Sequence, residues 1–217
     1  MAIIVAGGKG ERMKADIPKQ FLEINGKPIL MHTLDAFYAF DNSLKLVVVL
    51  PEVQISFWKT LCYKHSYSTP HRIVAGGTSR FHSVKNGLSA ITNEELIAVH
   101  DGVRPLVSGE TIARCFDAAQ KYKAAIPVMD SVESIRVVEG ESSKSVDRSA
   151  YKMVQTPQIF NAELLKKAYE QEFSDLFTDD ASVVEKLGVE VHLVDGNREN
   201  IKITTTYDLQ IAEMLLK

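Results

Sequence analysis

Ala2-Ile3-Ile4-Val5-Ala6-Gly7-Gly8-Lys9-Gly10-Glu11-Arg12-Met13 is the stretch that decides the fold. Its first half is apolar, continuous and β-branched, as expected of a strand buried on both faces of a sheet. Its second half is glycine and charge, with Pro18-Lys19-Gln20 close behind. A buried strand that empties into a glycine-rich turn opens an α/β unit, and in such folds ligands gather beyond the carboxyl ends of the strands. The run is not a dinucleotide fingerprint, because reading G-x-G-x-x-G from Gly8 puts Met13 where the third glycine belongs. No Walker-type phosphate loop occurs either. Consecutive glycines let backbone N–H groups approach a triphosphate with no Cβ in the way. Gly7, Gly8 and Gly10 offer that cradle, and Arg12 and Lys19 add two cations. A loop that only holds a nucleotide needs the glycines alone. One that transfers a nucleotidyl group also needs cations at the α-phosphorus, where charge develops. The bland alternative is a strand-to-helix turn with surface charges.

Working outward, Leu44–Leu50 and Leu96–His100 have the same strand character, and Arg72–Ala75 and Ala125–Val128 are shorter versions. Helical patterns fall near 28–40, 52–67, 78–91 and 108–122, with Ser108 as an N-cap for the last. This alternation predicts an α/β fold: a Rossmann-like, mostly parallel sheet with helices on both faces. Gly-and-charge clusters follow three of the strands, at Gly7–Arg12, Gly76–Arg80 and Asp101–Arg104, so they can converge in space. From about 131 to 154 two alternating runs flank a Gly-Glu-Ser-Ser turn, which predicts a projecting β-hairpin arm. A lone hairpin is marginal in water, so it should lie on a second subunit or on its own domain. Beyond it the pattern predicts a helix at 162–171 capped by Asn161 and a helix at 178–187 closed by Gly188. Strands at 190–194 and 200–203 precede a final helix that begins with a capping box at Thr205. The whole of 1–217 reads as a single domain carrying the arm.

Composition narrows the function. The 217 residues are 45% hydrophobic and 24% charged with a net charge of −3, too balanced to neutralise a nucleic-acid backbone. Cys62 and Cys115 form no C-x-x-C pair, and the six histidines show no metal spacing, so neither a disulfide scaffold nor zinc is expected. Both thiols read as small buried hydrophobes. No run reaches the ~18 apolar residues of a membrane span, and nothing at the N-terminus resembles a signal segment. The expectation is a soluble, cytoplasmic domain. His100 reads as a structural hydrogen-bonder, and Phe57 and Trp58 as packing.

The run from Ala6 to Met13 with Pro18-Lys19-Gln20 resembles the loop of nucleotidyltransferases that activate sugars and polyols. Further motifs sharpen the likeness: Gly76-Gly77-Thr78-Ser79-Arg80-Phe81-His82-Ser83, Val99-His100-Asp101-Gly102-Val103-Arg104-Pro105, Gln155-Thr156-Pro157-Gln158, Thr178-Asp179-Asp180-Ala181-Ser182 and Asn200-Ile201-Lys202-Ile203-Thr204. In this order they resemble the 2-C-methyl-D-erythritol 4-phosphate cytidylyltransferase family, from Ile4 to Leu216. The resemblance implies transfer of CMP from CTP to the polyol phosphate with Mg²⁺, releasing pyrophosphate. It implies that Arg12, Lys19 and Lys202 are catalytic and surround the α-phosphorus. It implies nucleotide binding by Ala6, Gly7, Gly8, Gly10, Gly77, Thr78, Ser83, Asp101 and Gly102. The polyol phosphate would meet Asp101, Arg104, Thr156 and Thr178, joined by Ser131 and Arg148 reaching across from the partner of a homodimer. An acidic side chain at a strand end beside a triphosphate also suits a Mg²⁺ ligand, which makes Asp101 the metal candidate; capping the following turn is its structural alternative.

Two departures from the family pattern stand out. Thr78 stands where the family often has an acidic residue, and the arm begins Asp130-Ser131-Val132-Glu133, with Glu133 in place of the usual lysine. The absent lysine keeps ribitol-5-phosphate cytidylyltransferase open as a sister reading. A nucleotide-binding module without turnover is the reading from another class.

Overall fold

In the computed structural model, which describes residues 1–8, 17–90 and 92–216, strand β1 (Ala2–Val5) runs through the middle of the central sheet. It pairs in parallel with β4 (Leu46–Leu50) on one side and β6 (Leu96–Asp101) on the other. Between β1 and β4 come a two-residue-stranded hairpin, β2 (Glu23–Ile24) and β3 (Lys27–Pro28), and helix α1 (Ile29–Phe40). Helix α2 (Glu52–Lys64) leads to β5 (Arg72–Ala75), parallel to β4, and α3 (Arg80–Leu88) leads to β6. Helix α4 (Gly109–Tyr122) then precedes β7 (Ala124–Asp130).

Alternation along the strands splits the core into two layers. Ile3, Val47, Val49, Ile97 and Val99 face α3, where Phe81, Val84 and Leu88 are buried. Ala2, Ile4, Val48, Leu50 and Ala98 face the other way, against Leu34 and Phe37 of α1, Trp58 of α2, and Ile112 and Cys115 of α4. Burying each large apolar side chain contributes about 1.5–3 kcal/mol, so the sheet is held by both layers rather than by its ladders alone. Gly87 allows α3 to lie close, since a Cβ there would stand 2.8 Å from Ile3 Cγ2. The α/β fold with helices on both faces is as the sequence predicts.

The far side of the sheet is mixed. Strands β8 (Arg136–Glu139) and β9 (Ser142–Ser145) form an exposed hairpin, and the chain then returns as β10 (Lys152–Val154), antiparallel to the end of β7. The arm is therefore shorter than 131–154, because its last residues join the central sheet. Strand β11 (Gln158–Asn161), which the sequence reading missed, inserts antiparallel between β6 and β7. Helices α5 (Ala162–Ala168) and α6 (Asp180–Glu185) follow, then β12 (His192–Asp195) parallel to β7, and α7 (Thr206–Leu215).

Cap chemistry sets several boundaries. Ser108, Asn161 and Thr205 each accept from a backbone N–H in the first turn of the helix they open, and Thr205 forms a capping box with Asp208. Gly188, at φ +76, sits just past α6. Helix α2 stops at Lys64 rather than 67, and Ser66 takes a positive φ of 47 as Tyr67 N–H turns back to the Cys62 carbonyl. The expected strand at 200–203 does not form: Ile203 N–H bonds the Val103 carbonyl, and the Asn200 amide bonds the Thr156 carbonyl. Those partners lie in loops at the carboxyl end of the sheet, and this is where the segment is needed.

Candidate active site

The loops after β1, β5 and β6 meet above the sheet. Gly102 N–H bonds the Val5 carbonyl at 2.8 Å, and a Cβ on Gly102 would stand 2.9 Å from the Ala6 Cβ, so the first and sixth strands can end side by side only with glycine there. Gly102 is buried beneath the site instead of lining it. A cavity of about 340 Å³ opens over this floor, bordered by Ala6, Gly7 and Gly8 on one side and by Gly77, Thr78 and Ser83 on the other. Lys19, Arg80, Asp101 and Lys202 bring charge to its rim.

Each wall has a local cause. Gln20 is fully buried and its Nε2 donates to the Ala6 carbonyl at 2.8 Å and to Gln54 Oε1 at 2.7 Å, which ties the Lys19–Phe21 turn to the end of β1 and to α2. Lys19 is almost buried; its Nζ donates to the Ile203 carbonyl at 3.3 Å, linking the glycine loop to the Lys202 segment. A Cβ on Gly8 would press the Lys19 Cε at 3.1 Å. Opposite, a Cβ on Gly77 would fall 2.4 Å from the His82 Cβ. Ser83 Oγ accepts from Gly77 N–H at 3.1 Å and donates to the Ser79 carbonyl, so it braces the loop as well as bordering the cavity. Thr78 is exposed at the rim, with its hydroxyl 3.3 Å from His82 Nδ1.

A second, smaller cavity of about 180 Å³ adjoins the first and is bordered by Arg104, Thr156, Thr178 and Asp179. Arg80, Asp101 and Lys202 border both cavities. Asp101 is the hub: its Oδ2 lies 3.0 Å from Lys202 Nζ and 3.2 Å from Arg104 Nε, and its Oδ1 lies 3.8 Å from Arg80 Nε. Burial alone would raise its carboxyl, but Arg80, Lys202 and Arg104 together hold it well below the ordinary carboxylate range. It is ionised at every working pH.

Thr156 supports this hub from below. Its hydroxyl accepts from Asp101 N–H at 3.1 Å and lies 3.0 Å from His100 Nδ1. The other ring nitrogen, Nε2, faces the Arg104 carbonyl at 3.2 Å. A carbonyl can only accept, so the imidazole carries its proton on Nε2 and accepts a hydrogen bond from the Thr156 hydroxyl at Nδ1. Burial then lowers the His100 pKa to about 4, and the ring stays neutral. His100 is a structural hydrogen-bonder, as expected, and Trp58 is buried against Phe21.

Not every expected residue comes together. Arg12 and Gly10 lie outside the described residues. Ser131 and Arg148 border neither cavity of their own chain: Ser131 Oγ donates to the Glu133 carbonyl and Arg148 to the Val132 carbonyl. Sequence reasoning placed Gln20 and Asn200 in motifs but gave them no role, and it missed the pairing of Arg80 with Asp180.

The donor set limits the metal. Among the described residues no group of three or more His, Cys, Asp or Glu is placed to hold an ion. Among the described residues Asp101 is the acidic side chain on the larger cavity. One carboxylate fits a Mg²⁺ that keeps its waters and takes its other ligands from substrate phosphates, and it does not fit an all-protein cage.

A glycine cradle at the β1 end, a ring of cations and two adjoining cavities at the carboxyl edge of a parallel sheet define a nucleotidyltransferase. Comparison with known proteins agrees and sharpens this. The family model described as IspD, 2-C-methyl-D-erythritol 4-phosphate cytidylyltransferase, matches residues 1–217, and the chain belongs to that family. The Phocaeicola vulgatus 2-C-methyl-D-erythritol 4-phosphate cytidylyltransferase is 58% identical over 214 residues, covering 99% of this chain and 98% of that protein. Among solved structures, 4-diphosphocytidyl-2C-methyl-D-erythritol synthase from Anaerococcus prevotii superposes with a TM-score of 0.83 at 31% identity, covering 99% of this chain and 94% of its own. The Thermus thermophilus cytidylyltransferase gives 0.76 at 32% identity, covering 99% and 97%.

Proposed function

We propose that the larger cavity takes CTP and the smaller takes 2-C-methyl-D-erythritol 4-phosphate, with CMP passing between them and pyrophosphate leaving. The observation that carries this division is the shared border: Arg80, Asp101 and Lys202 touch both cavities, so the α-phosphorus and the acceptor phosphate would meet there. The acceptor is already an anion at neutral pH, so no strong base is required. What remains is in-line positioning and neutralisation of charge at the α-phosphorus.

Lys19 and Lys202 are the cations we assign to that phosphorus, with Arg12 from the first loop as the third. The backbone of Gly7 and Gly8 would follow the triphosphate, and Gly77, Thr78 and Ser83 would bound the base pocket. Arg104, Thr156 and Thr178 would hold the polyol phosphate. Bound Mg²⁺ would supply charge neutralisation on the triphosphate, with Asp101 as its protein ligand.

The arm supports a homodimer. Val132 and Val138 are 62% and 70% exposed, and Ser131 and Arg148 border neither of the two cavities, which suits delivery to a partner's acceptor cavity. A cytoplasmic setting is supported by two free cysteines, and among the described residues no helix is long and apolar enough to cross a membrane. The net charge of −3 argues against nucleic acid.

The decisive experiment offers CTP and Mg²⁺ with each of two acceptors and follows pyrophosphate. Faster release with 2-C-methyl-D-erythritol 4-phosphate is expected. Faster release with ribitol 5-phosphate would overturn the acceptor assignment, and tight CTP binding without release on either would leave only a binding module.

A further inference from the structure

Arg80 opens α3, directly after the Ser79 N-cap, and its guanidinium makes a two-point pair with Asp180 of α6: Nη1 to Oδ1 at 2.9 Å and Nη2 to Oδ2 at 2.6 Å. Asp180 is wholly buried, and its Oδ1 also accepts from the Tyr169 hydroxyl at 2.5 Å. The remaining edge of the guanidinium, Nε, faces Asp101 Oδ1 at 3.8 Å. Immediately before Asp180, Asp179 caps α6 with Oδ1 and accepts from Gln158 Nε2 with Oδ2, and Thr178 precedes it on the border of the smaller cavity. One guanidinium therefore joins three pieces: the helix behind the nucleotide loop, the Thr178–Asp179 turn, and the Asp101 hub.

Stability alone is a weak reason for such a pair. Desolvating both ions offsets most of their attraction, and a packed apolar pair would hold α3 to α6 as well. An apolar pair could not also present Nε to a carboxylate between the two cavities. The end-on fork of the two terminal nitrogens is committed to Asp180, which leaves only the Nε edge of Arg80 facing the cavities.

We propose that Arg80 is a positioning residue for the transfer step, fixing the Thr178–Asp179 turn and Asp101 relative to each other so that the acceptor phosphate lies in line with the α-phosphorus. This rests on the assignment of the acceptor to the smaller cavity. Arg80→Lys keeps the charge and loses the fork. It should lower kcat about 10–10²-fold, the scale of displacing reacting groups by about an ångström. KM for CTP should move less than about threefold while KM for the polyol phosphate rises, the split expected when the groups that align the acceptor are disturbed. Asp180→Asn leaves Arg80 charged but removes the two-point grip, so it should show the same split; it also carries the test if Arg80→Lys does not fold. Wild-type kcat in the folded fraction of both variants, with only a lower melting temperature, would reduce the pair to a structural tie and overturn the proposal. Thr178→Val separates the underlying reading. An unchanged acceptor KM in that variant removes the acceptor from this cavity, whereas a raised KM there beside normal Arg80 variants defeats the role of Arg80 alone.

Discussion

Lys202 Nζ stands 3.0 Å from Asp101 Oδ2, so a cation from the 200–204 segment and the carboxylate ending β6 meet on the border between two cavities. The carboxylate fixes the cation at the border where, on the reading proposed above, a phosphate would attract it. Charge is thus arranged before binding, which is how electrostatic stabilisation avoids reorganisation during the reaction. Lys202→Gln should lower kcat/KM for the polyol phosphate by about 10–10²-fold while CTP affinity by calorimetry changes far less. An equal loss of CTP affinity would mean that Lys202 serves ground-state binding of the nucleotide and not the transfer step.

Lys19 is held differently, nearly buried and donating to the Ile203 carbonyl. Its position is set by the Gln20 anchor on Ala6 and by the bare Cα of Gly8. Lys19→Ala should reduce kcat by about 10²–10³-fold, the cost of one preorganised donor at a developing charge. Single-turnover measurement with saturating CTP checks this, and unchanged turnover would remove Lys19 from the mechanism.

The parts of this site written in local sequence were legible. Asp101 follows a buried apolar run, the glycines follow β1 and β5, and helix caps fall on Ser108, Asn161 and Thr205. Local pattern could not reveal partners chosen by topology. Arg80 and Asp180 are 100 residues apart and meet only because α3 and α6 lie on the same face of the sheet. Strand β11 escaped notice because it is four residues long with a polar residue at each end, both of which bond to neighbouring elements. The 200–203 segment has strand-like alternation, yet Asn200 and Ile203 spend their hydrogen bonds on loops.

The glycine loop after β5 gives a steric prediction. A methyl group on Gly77 would overlap the His82 Cβ at 2.4 Å and crowd the His82 backbone, so the loop must move away from α3. Gly77→Ala should destabilise the fold by about 1–3 kcal/mol, as overpacking does. It should also raise KM for CTP more than KM for the acceptor. Denaturant unfolding and steady-state kinetics test both, and a variant with unchanged CTP affinity would separate this loop from the nucleotide.

His100 predicts a pH dependence of stability. Its folded pKa, about 4, lies below the ordinary value of 6.5 because burial penalises the imidazolium, and a proton on Nδ1 would also break the bond from Thr156. The unfolded chain therefore binds more protons between these two values, and stability falls as pH drops through that window. Full benefit is present above 6.5, and between pH 7 and pH 5 the loss should be roughly 2 kcal/mol. His100→Gln should flatten this part of the profile in urea titrations. An unchanged slope would mean that another group titrates there.

The arm makes the boldest demand on assembly. Strands β8 and β9 are exposed along nearly their whole length, and a hairpin of four residues a strand has too little apolar area to persist alone. Seated on a second copy, it would bury Val132 and Val138 and bring Ser131 and Arg148 to an acceptor. Deleting 134–146 should therefore convert a sedimenting dimer to a monomer. It should also raise KM for the polyol phosphate while leaving CTP binding in the larger cavity intact. An intact chain that sediments as a monomer at working concentration would end the proposal. A mixed dimer of Arg148→Ala with an acceptor-site variant such as Arg104→Ala provides the sharper test. If arms cross, one of the two sites combines both defects and the other keeps neither, so the isolated mixed dimer should regain about half of wild-type activity, as two independent sites require. No recovery would mean that each arm serves its own chain.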